Sequence, residues 1–222
     1  YGIPSFKLEK EIVQRRADLL KDGGVSFELN CEVGRDASLQ ELRDRHAAVL
    51  IATGVYKARD AALPGVGLGN IIQSMEFLTA SNRKGLGDAV PEFESGALDA
   101  KDKHVVVLGG GDTAMDCVRT AVRQGAKSVK CLYRRDLENM PGSMREVQHA
   151  QEEGVEFVWL TAPEAYLGDD DVRGVRAVRI RLGAPDATGR QTPEIVGGSA
   201  HEIAADLVIK ALGFDPEDLP TL

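Results

Sequence analysis

The sequence predicts an α/β protein built on a parallel sheet, with antiparallel strands at the sheet edge. Three observations carry that prediction. The apolar run Val105-Val106-Val107-Leu108 is followed by three glycines, a helical pattern over residues 113–124 and a strand pattern over 128–133, which together make a β-α-β unit. Residues 47–52 (AAVLIA) are apolar on both faces, as a central parallel strand is. At 222 residues the chain is long enough for about one and a half domains and needs no disulfide or metal to supplement its core.

The elements follow in order. Leu8, Ile12, Val13, Leu19 and Leu20 recur at helical spacing over residues 7–21, and Gly23-Gly24 stops that helix. Residues 25–29 alternate as a half-buried strand, and 39–45 read as a short helix leading into the strand at 47–52. Turn formers crowd residues 56–70 (Pro64, Gly65, Gly67, Gly69) and 85–100 (Pro91, Gly96), with a short helix expected at 74–81 between them. After the β-α-β unit, a helix over 143–153 ends at Gly154 and a strand spans 155–160. Residues 175–182 alternate Val178, Ile180 and Leu182 against Arg179 and Arg181, which suggests an antiparallel edge strand with one wet face. A loop is expected at 183–199 and a last apolar strand at 205–212, with no internal repeat.

Composition narrows the function. Hydrophobic residues are 43% and charged residues 28%, the balance of a chain that folds. A net charge of −8 opposes general attraction to nucleic acid or to an anionic membrane. No run of about 18 apolar residues occurs and the first residues are not ordered as a secretory signal, so a cytoplasmic protein is expected. Cys31, Cys117 and Cys131 are far apart and form no C-x-x-C pair, so they are read as thiols rather than as a disulfide framework or a metal site. His46, His104, His149 and His201 show no ligand spacing, Asp169-Asp170-Asp171 lacks the glycine and terminal glutamate of a calcium loop, and Arg173, Arg176, Arg179 and Arg181 read as a solvated strand face. No metal site and no catalytic acid, base or nucleophile is expected.

The glycine-rich loop carries the chemistry. Gly109, Gly111 and Ala114 fit G-x-G-x-x-G/A between a strand and a helix. The first glycine allows a tight turn, the second lets a pyrophosphate approach the backbone, and the small third residue lets helix pack on strand. N–H groups near Asp112 and Thr113 would meet the phosphates at the helix start. This predicts a Rossmann-type dinucleotide site. NAD binders place an acidic residue roughly 20 to 25 positions on, at the end of the second strand, to hold the ribose hydroxyls. Arg134-Arg135 stand there instead, and two guanidinium groups suit a 2′-phosphate, so the expected cofactor is NADPH.

The segments VVVLGGGDTAMDCVRTAVRQGAKSV and CLYRRDLENMPGSMREVQHAQEEGVEF resemble the small (β) subunit of NADPH-dependent glutamate synthase. YGIPSFKLEKEIVQRR, VLIATGVYKARDAALPG and ADLVIKALGFDPEDLP are similar to that family's flavin-domain segments, so the resemblance covers nearly the whole chain. It implies two nested Rossmann-type domains: a partial FAD domain at 1–63, an NADPH domain at 64–212, and a return into the FAD domain beginning at 213–222. It implies that Gly109, Gly110, Gly111, Asp112, Thr113 and Ala114 line the pyrophosphate and Arg134 and Arg135 the 2′-phosphate. By the same resemblance Ala52, Thr53, Gly54, Gly213 and Asp215 approach the flavin. In that family hydride passes from NADPH to FAD, and electrons leave through iron–sulfur clusters toward a large (α) subunit that makes glutamate from glutamine and 2-oxoglutarate. The family's cysteine-rich start and FAD G-x-G-x-x-G are not in this sequence, so it is expected to be a fragment that holds no stable FAD by itself. A nucleotide-binding module without turnover, or another NADPH-dependent flavin reductase of this architecture, are the alternatives.

Overall fold

A computed structural model describes residues 1–187, 189 and 191–218; the last four residues of the expected return segment, 219–222, lie outside the described residues. The chain divides into two compact units. One joins Tyr1–Pro4 to Arg59–Gly213, and the other joins Ser5–Ala58 to the residues after Gly213.

The second unit holds α1 (Lys10–Asp22), α2 (Leu39–Arg45) and the two-residue β1 (Lys57–Ala58), which pairs antiparallel with the last strand, β11 (Phe214–Asp215). Helix α2 begins in a capping box: the Ser38 hydroxyl accepts the Glu41 N–H, and the Ser38 N–H donates to the Glu41 carboxylate. Neither helix buries a residue, and Leu19, Leu20, Phe27, Leu29 and Leu50 are all exposed. The strands expected at 25–29 and 47–52 do not form; Leu50 is 91% exposed in an irregular stretch. A strand needs neighbours for its N–H and C=O groups, and among the described residues this unit has only the β1–β11 ladder and an isolated Val33–Ala37 bridge.

The first unit contains the core. Its parallel sheet runs in the order β2 (Ile71–Gln73), β10 (Leu207–Lys210), β3 (His104–Leu108), β4 (Ser128–Leu132), β5 (Glu156–Val158). Helices α3 (Ser74–Gly85), α5 (Asp112–Arg123) and α6 (Met144–Glu152) cover one face, and the short α4 (Pro91–Glu94) lies beside α3. The other face is covered by an antiparallel sheet in which β7 (Val172–Pro185) pairs with β6 (Thr161–Gly168), β8 (Gln191–Ile195) and β9 (His201–Ala204).

This layering explains the apolar run in β3. Val105 and Val107 pack with Phe77, Met115, Val118 and Val147 on the helical side, while Val106 and Leu108 pack with Tyr166, Val172 and Val175 on the other. Each such side chain contributes about 1.5–3 kcal/mol when fully buried. Lys210 is buried at the end of β10, and its ammonium is compensated by the Asp60 carboxylate at 2.7 Å.

The antiparallel strands therefore form a separate sheet, with β7 at its centre and Arg173, Arg176, Arg179 and Arg181 exposed along it. The strand expected over 155–160 stops at Val158. Leu160 turns the corner at φ 49°, and β6 begins at Thr161, a strand that sequence reading missed. The loop expected at 183–199 contains the end of β7 and all of β8, and β9 precedes the final strand, which shortens to β10.

Candidate nucleotide site

The strand order reverses beside β3: β4 and β5 extend the sheet on one side, β10 and β2 on the other. Ligands of such sheets bind outside the carboxyl ends of the strands at this point. The glycine loop occupies that position. Gly109 takes φ +146°, and a Cβ there would lie 2.2 Å from the Ala211 carbonyl oxygen. The Gly109 N–H donates to Leu132 O, and its own carbonyl accepts the Cys131 thiol at 3.3 Å. Burial pushes that thiol up to about 12, so it stays protonated and able to donate.

Gly110 is buried against the Tyr133 ring, where a Cβ would approach to 2.5 Å. Gly111 differs, since a Cβ there would meet nothing within 4 Å. It is the N-cap of α5 and supplies no side-chain cap; the Ala114 N–H turns back to Gly111 O at 2.9 Å, so the N–H groups of Asp112 and Thr113 are left to another acceptor. Open space before an uncapped helix start, reached by backbone alone, suits a pyrophosphate. Ala114 is fully buried and lets α5 pack on the sheet. Thr113 is half-buried in the first turn of α5.

Arg134 and Arg135 follow β4 after one residue, Tyr133. Neither makes an ion pair with another described residue, and the Arg135 Nε is buried without a hydrogen-bond partner among them. Their charges are felt by Tyr133: burial raises its hydroxyl above the usual phenol range, while Arg135 and Arg134 pull it down. Two adjacent guanidinium groups lacking a carboxylate fit a phosphate. The described residues therefore fit a 2′-phosphorylated dinucleotide.

The backbone fixes this corner. The Tyr133 N–H donates to Val158 O, the Leu160 N–H to Arg135 O and the Thr161 N–H to Tyr133 O. Sequence reading missed Tyr133, whose ring meets Trp159 edge to face at 6.4 Å and whose hydroxyl donates to Asn139 O at 2.9 Å. It also missed Gly142, whose N–H donates to Gly110 O at 2.9 Å. The Met140-Pro141-Gly142-Ser143 turn ahead of α6 was the available signal.

Of the residues assigned to the flavin, Gly213 belongs to the first unit and the others to the second. Ala52, Thr53 and Gly54 are exposed in irregular chain. The Gly213 carbonyl accepts the Arg59 N–H, and Asp215 is paired with Lys57 in the β1–β11 ladder. Among the described residues no three His, Cys, Asp or Glu side chains cluster as metal ligands, and no described helix is long and apolar enough to cross a membrane.

Residues 10–220 match the family described as pyridine nucleotide-disulphide oxidoreductase. The chain is 68% identical over 220 residues to a protein named glutamate synthase (NADPH) small chain from Azospirillum brasilense, covering 99% of this chain and 46% of that one. It is 47% identical over 224 residues to the protein of that name from Escherichia coli strain K12, covering 100% of this chain and 47% of that one. The chain thus spans about half the length of these curated relatives. A solved point mutant of FprA from Mycobacterium tuberculosis shares the fold, with a TM-score of 0.78 at 19% identity over 99% of this chain and 62% of that one. With its glycine loop at the sheet's switch point and the family match running through nearly the whole sequence, the chain belongs to the pyridine nucleotide-disulphide oxidoreductase family.

Proposed function

We propose that this chain is the NADPH-binding part of an oxidoreductase of the glutamate synthase small-chain type. The observation that carries the reading is the arginine pair, Arg134 and Arg135, left without carboxylate partners among the described residues at the end of the strand beside the glycine loop. The backbone of Gly109, Gly110, Gly111, Asp112 and Thr113, with Ala114 packed beneath, would hold the pyrophosphate, and the arginines would hold the 2′-phosphate. The bound dinucleotide supplies a hydride. This chain's residues bind and orient it, and no acid, base or nucleophile is needed for that task. In the whole protein the hydride would pass to FAD, approached by Ala52, Thr53, Gly54, Gly213 and Asp215. Electrons would then leave through iron–sulfur clusters toward the large (α) subunit, for glutamate formation from glutamine and 2-oxoglutarate in the cytoplasm.

The test is a titration of NADPH and NADH against the chain and its Arg134→Ala and Arg135→Ala variants. Each charge-assisted contact is worth about 1.5–3 kcal/mol, so each variant should weaken NADPH about 10- to 100-fold and leave NADH nearly unchanged. An unchanged preference in both variants overturns the reading. The exposure of Ala52, Thr53 and Gly54 favours a binding module without turnover in the isolated chain; dye reduction by NADPH without added flavin would exclude that.

A further inference from the structure

Asp112 stands where the glycine loop becomes helix α5, yet its carboxylate is turned to another partner. Its Oδ1 accepts the N–H of Ser143 at 3.0 Å, the N-cap residue of α6. One residue earlier, Gly142 is buried, and its N–H donates to the Gly110 carbonyl at 2.9 Å. A Cβ at Gly142 would lie 3.0 Å from that oxygen and 3.5 Å from the Gly111 carbonyl carbon. The loop and the turn before α6 are thus in backbone contact.

The chain between these anchors begins at the arginine pair. Asp136 accepts the N–H and the side-chain amide of Asn139 at 3.0 and 2.7 Å, and the Asn139 carbonyl accepts the Tyr133 hydroxyl. Residues 136–143 therefore form a strap that leaves Arg134-Arg135, is tied midway to Tyr133, and is clipped at its far end to Gly110 and Asp112. The Tyr133 ring closes on Gly110 from its Cα side.

We propose that Asp112 is a positioning residue for cofactor selectivity: its carboxylate anchors the strap and so sets the spacing between the arginine pair and the glycine loop. This rests on the reading of the site as one for NADPH. A nucleotide carrying both a pyrophosphate and a 2′-phosphate presents its two anionic groups at a fixed separation, and only a fixed strap rewards both together. The anchor also explains an acidic side chain beside a phosphate site. Asp112 lies in the first turn of α5 and at the start of α6, where two positive helix ends and the Ser143 N–H offset its charge.

The experiment measures NADPH and NADH affinities, with thermal melting, for the unaltered chain and for Asp112→Ala, Asp112→Asn and Gly142→Ala. Asp112→Ala should reduce the NADPH-to-NADH preference about tenfold, the loss expected when one charged hydrogen bond no longer fixes the strap. Asp112→Asn keeps an oxygen that accepts the Ser143 N–H and should retain most of the preference. Gly142→Ala should reproduce the loss by pushing the strap off Gly110. Equal weakening of both nucleotides, or an unchanged ratio in Asp112→Ala, overturns the proposal. If Asp112→Ala does not fold, an unchanged ratio in Gly142→Ala overturns it. An unaltered chain with no preference for NADPH overturns the underlying reading and this proposal together, whereas a preference that survives in the variants overturns this proposal alone.

Discussion

Gly109→Ala probes the junction on which the site is built. The added Cβ would lie 2.2 Å from the Ala211 carbonyl oxygen and 2.9 Å from its carbonyl carbon, both backbone atoms that no rotamer change can move. Ala211 is itself tied to β3 by its N–H to Leu108 O at 2.8 Å, so relief requires β10 and β3 to part at the sheet's centre. The position holds φ +146°, which costs an L-residue about 1–3 kcal/mol. Loss of the Ala211–Leu108 hydrogen bond adds about 1 kcal/mol. A total of about 3 kcal/mol should lower Tm by roughly 6–12 °C at the ~2–4 °C per kcal/mol usual for a domain of this size. Thermal unfolding followed by circular dichroism reads this directly. A variant melting within about 2 °C of the unaltered chain, less than 1 kcal/mol on that scale, would show that the loop is not locked to β10 as described.

Two further predictions concern side chains whose partners are specific. Cys131 is pushed up to about 12 and Cys117 is also raised by burial, whereas Cys31 is exposed, so a thiol reagent at pH 8 should modify one cysteine quickly and two only on unfolding; two fast thiols in the folded chain would contradict this. Arg119 donates to Glu146 at 2.8 Å and to Glu153 at 2.8 Å, nearly enclosed between α5 and α6. Burial pushes the Glu153 carboxyl upward, but Arg119 and Arg123 hold it below the ordinary range. Its folded value is thus the lower one. The stability it contributes is present above the unfolded carboxyl value, about 4.3, and is lost as pH falls through the folded value. Arg119→Met should cost about 2–4 kcal/mol at pH 7 and flatten the fall in Tm below about pH 4.3. An acid limb of unchanged slope would sever that link.

The β3-α5-β4 unit was legible because its signals are local and agree with one another. Val105 to Leu108 are apolar without interruption since both faces are covered, and α5 starts where the glycines end. Arg134 and Arg135 could be placed by counting from the glycine loop, since the end of β4 fixes their position. The antiparallel sheet was harder to read. Pro163 and a register shift between Pro163 and Ala165 break the alternation of β6, and Pro193 with its turn-rich approach disguises β8. Residues 47–52 have a strand's composition but no partner strand among the described residues, and composition cannot supply one. Tyr133 and Gly142 escaped because their importance lies in what they touch, Gly110 in both cases, across 23 and 32 positions of sequence.

The place of β10 in the sheet has a consequence for how the chain folds. Its neighbours β2 and β3 are made well over a hundred and about a hundred residues earlier, yet β10 lies between them. During synthesis both strands wait with bare edges, and β2 has no sheet neighbour at all until Leu207 to Lys210 emerge. Closure over such long loops is slow, and open apolar strands in the interval invite wrong pairing. Nascent chains stalled before Leu207 should bind chaperones and resist compaction, while those carried past Lys210 should acquire protease resistance in one step.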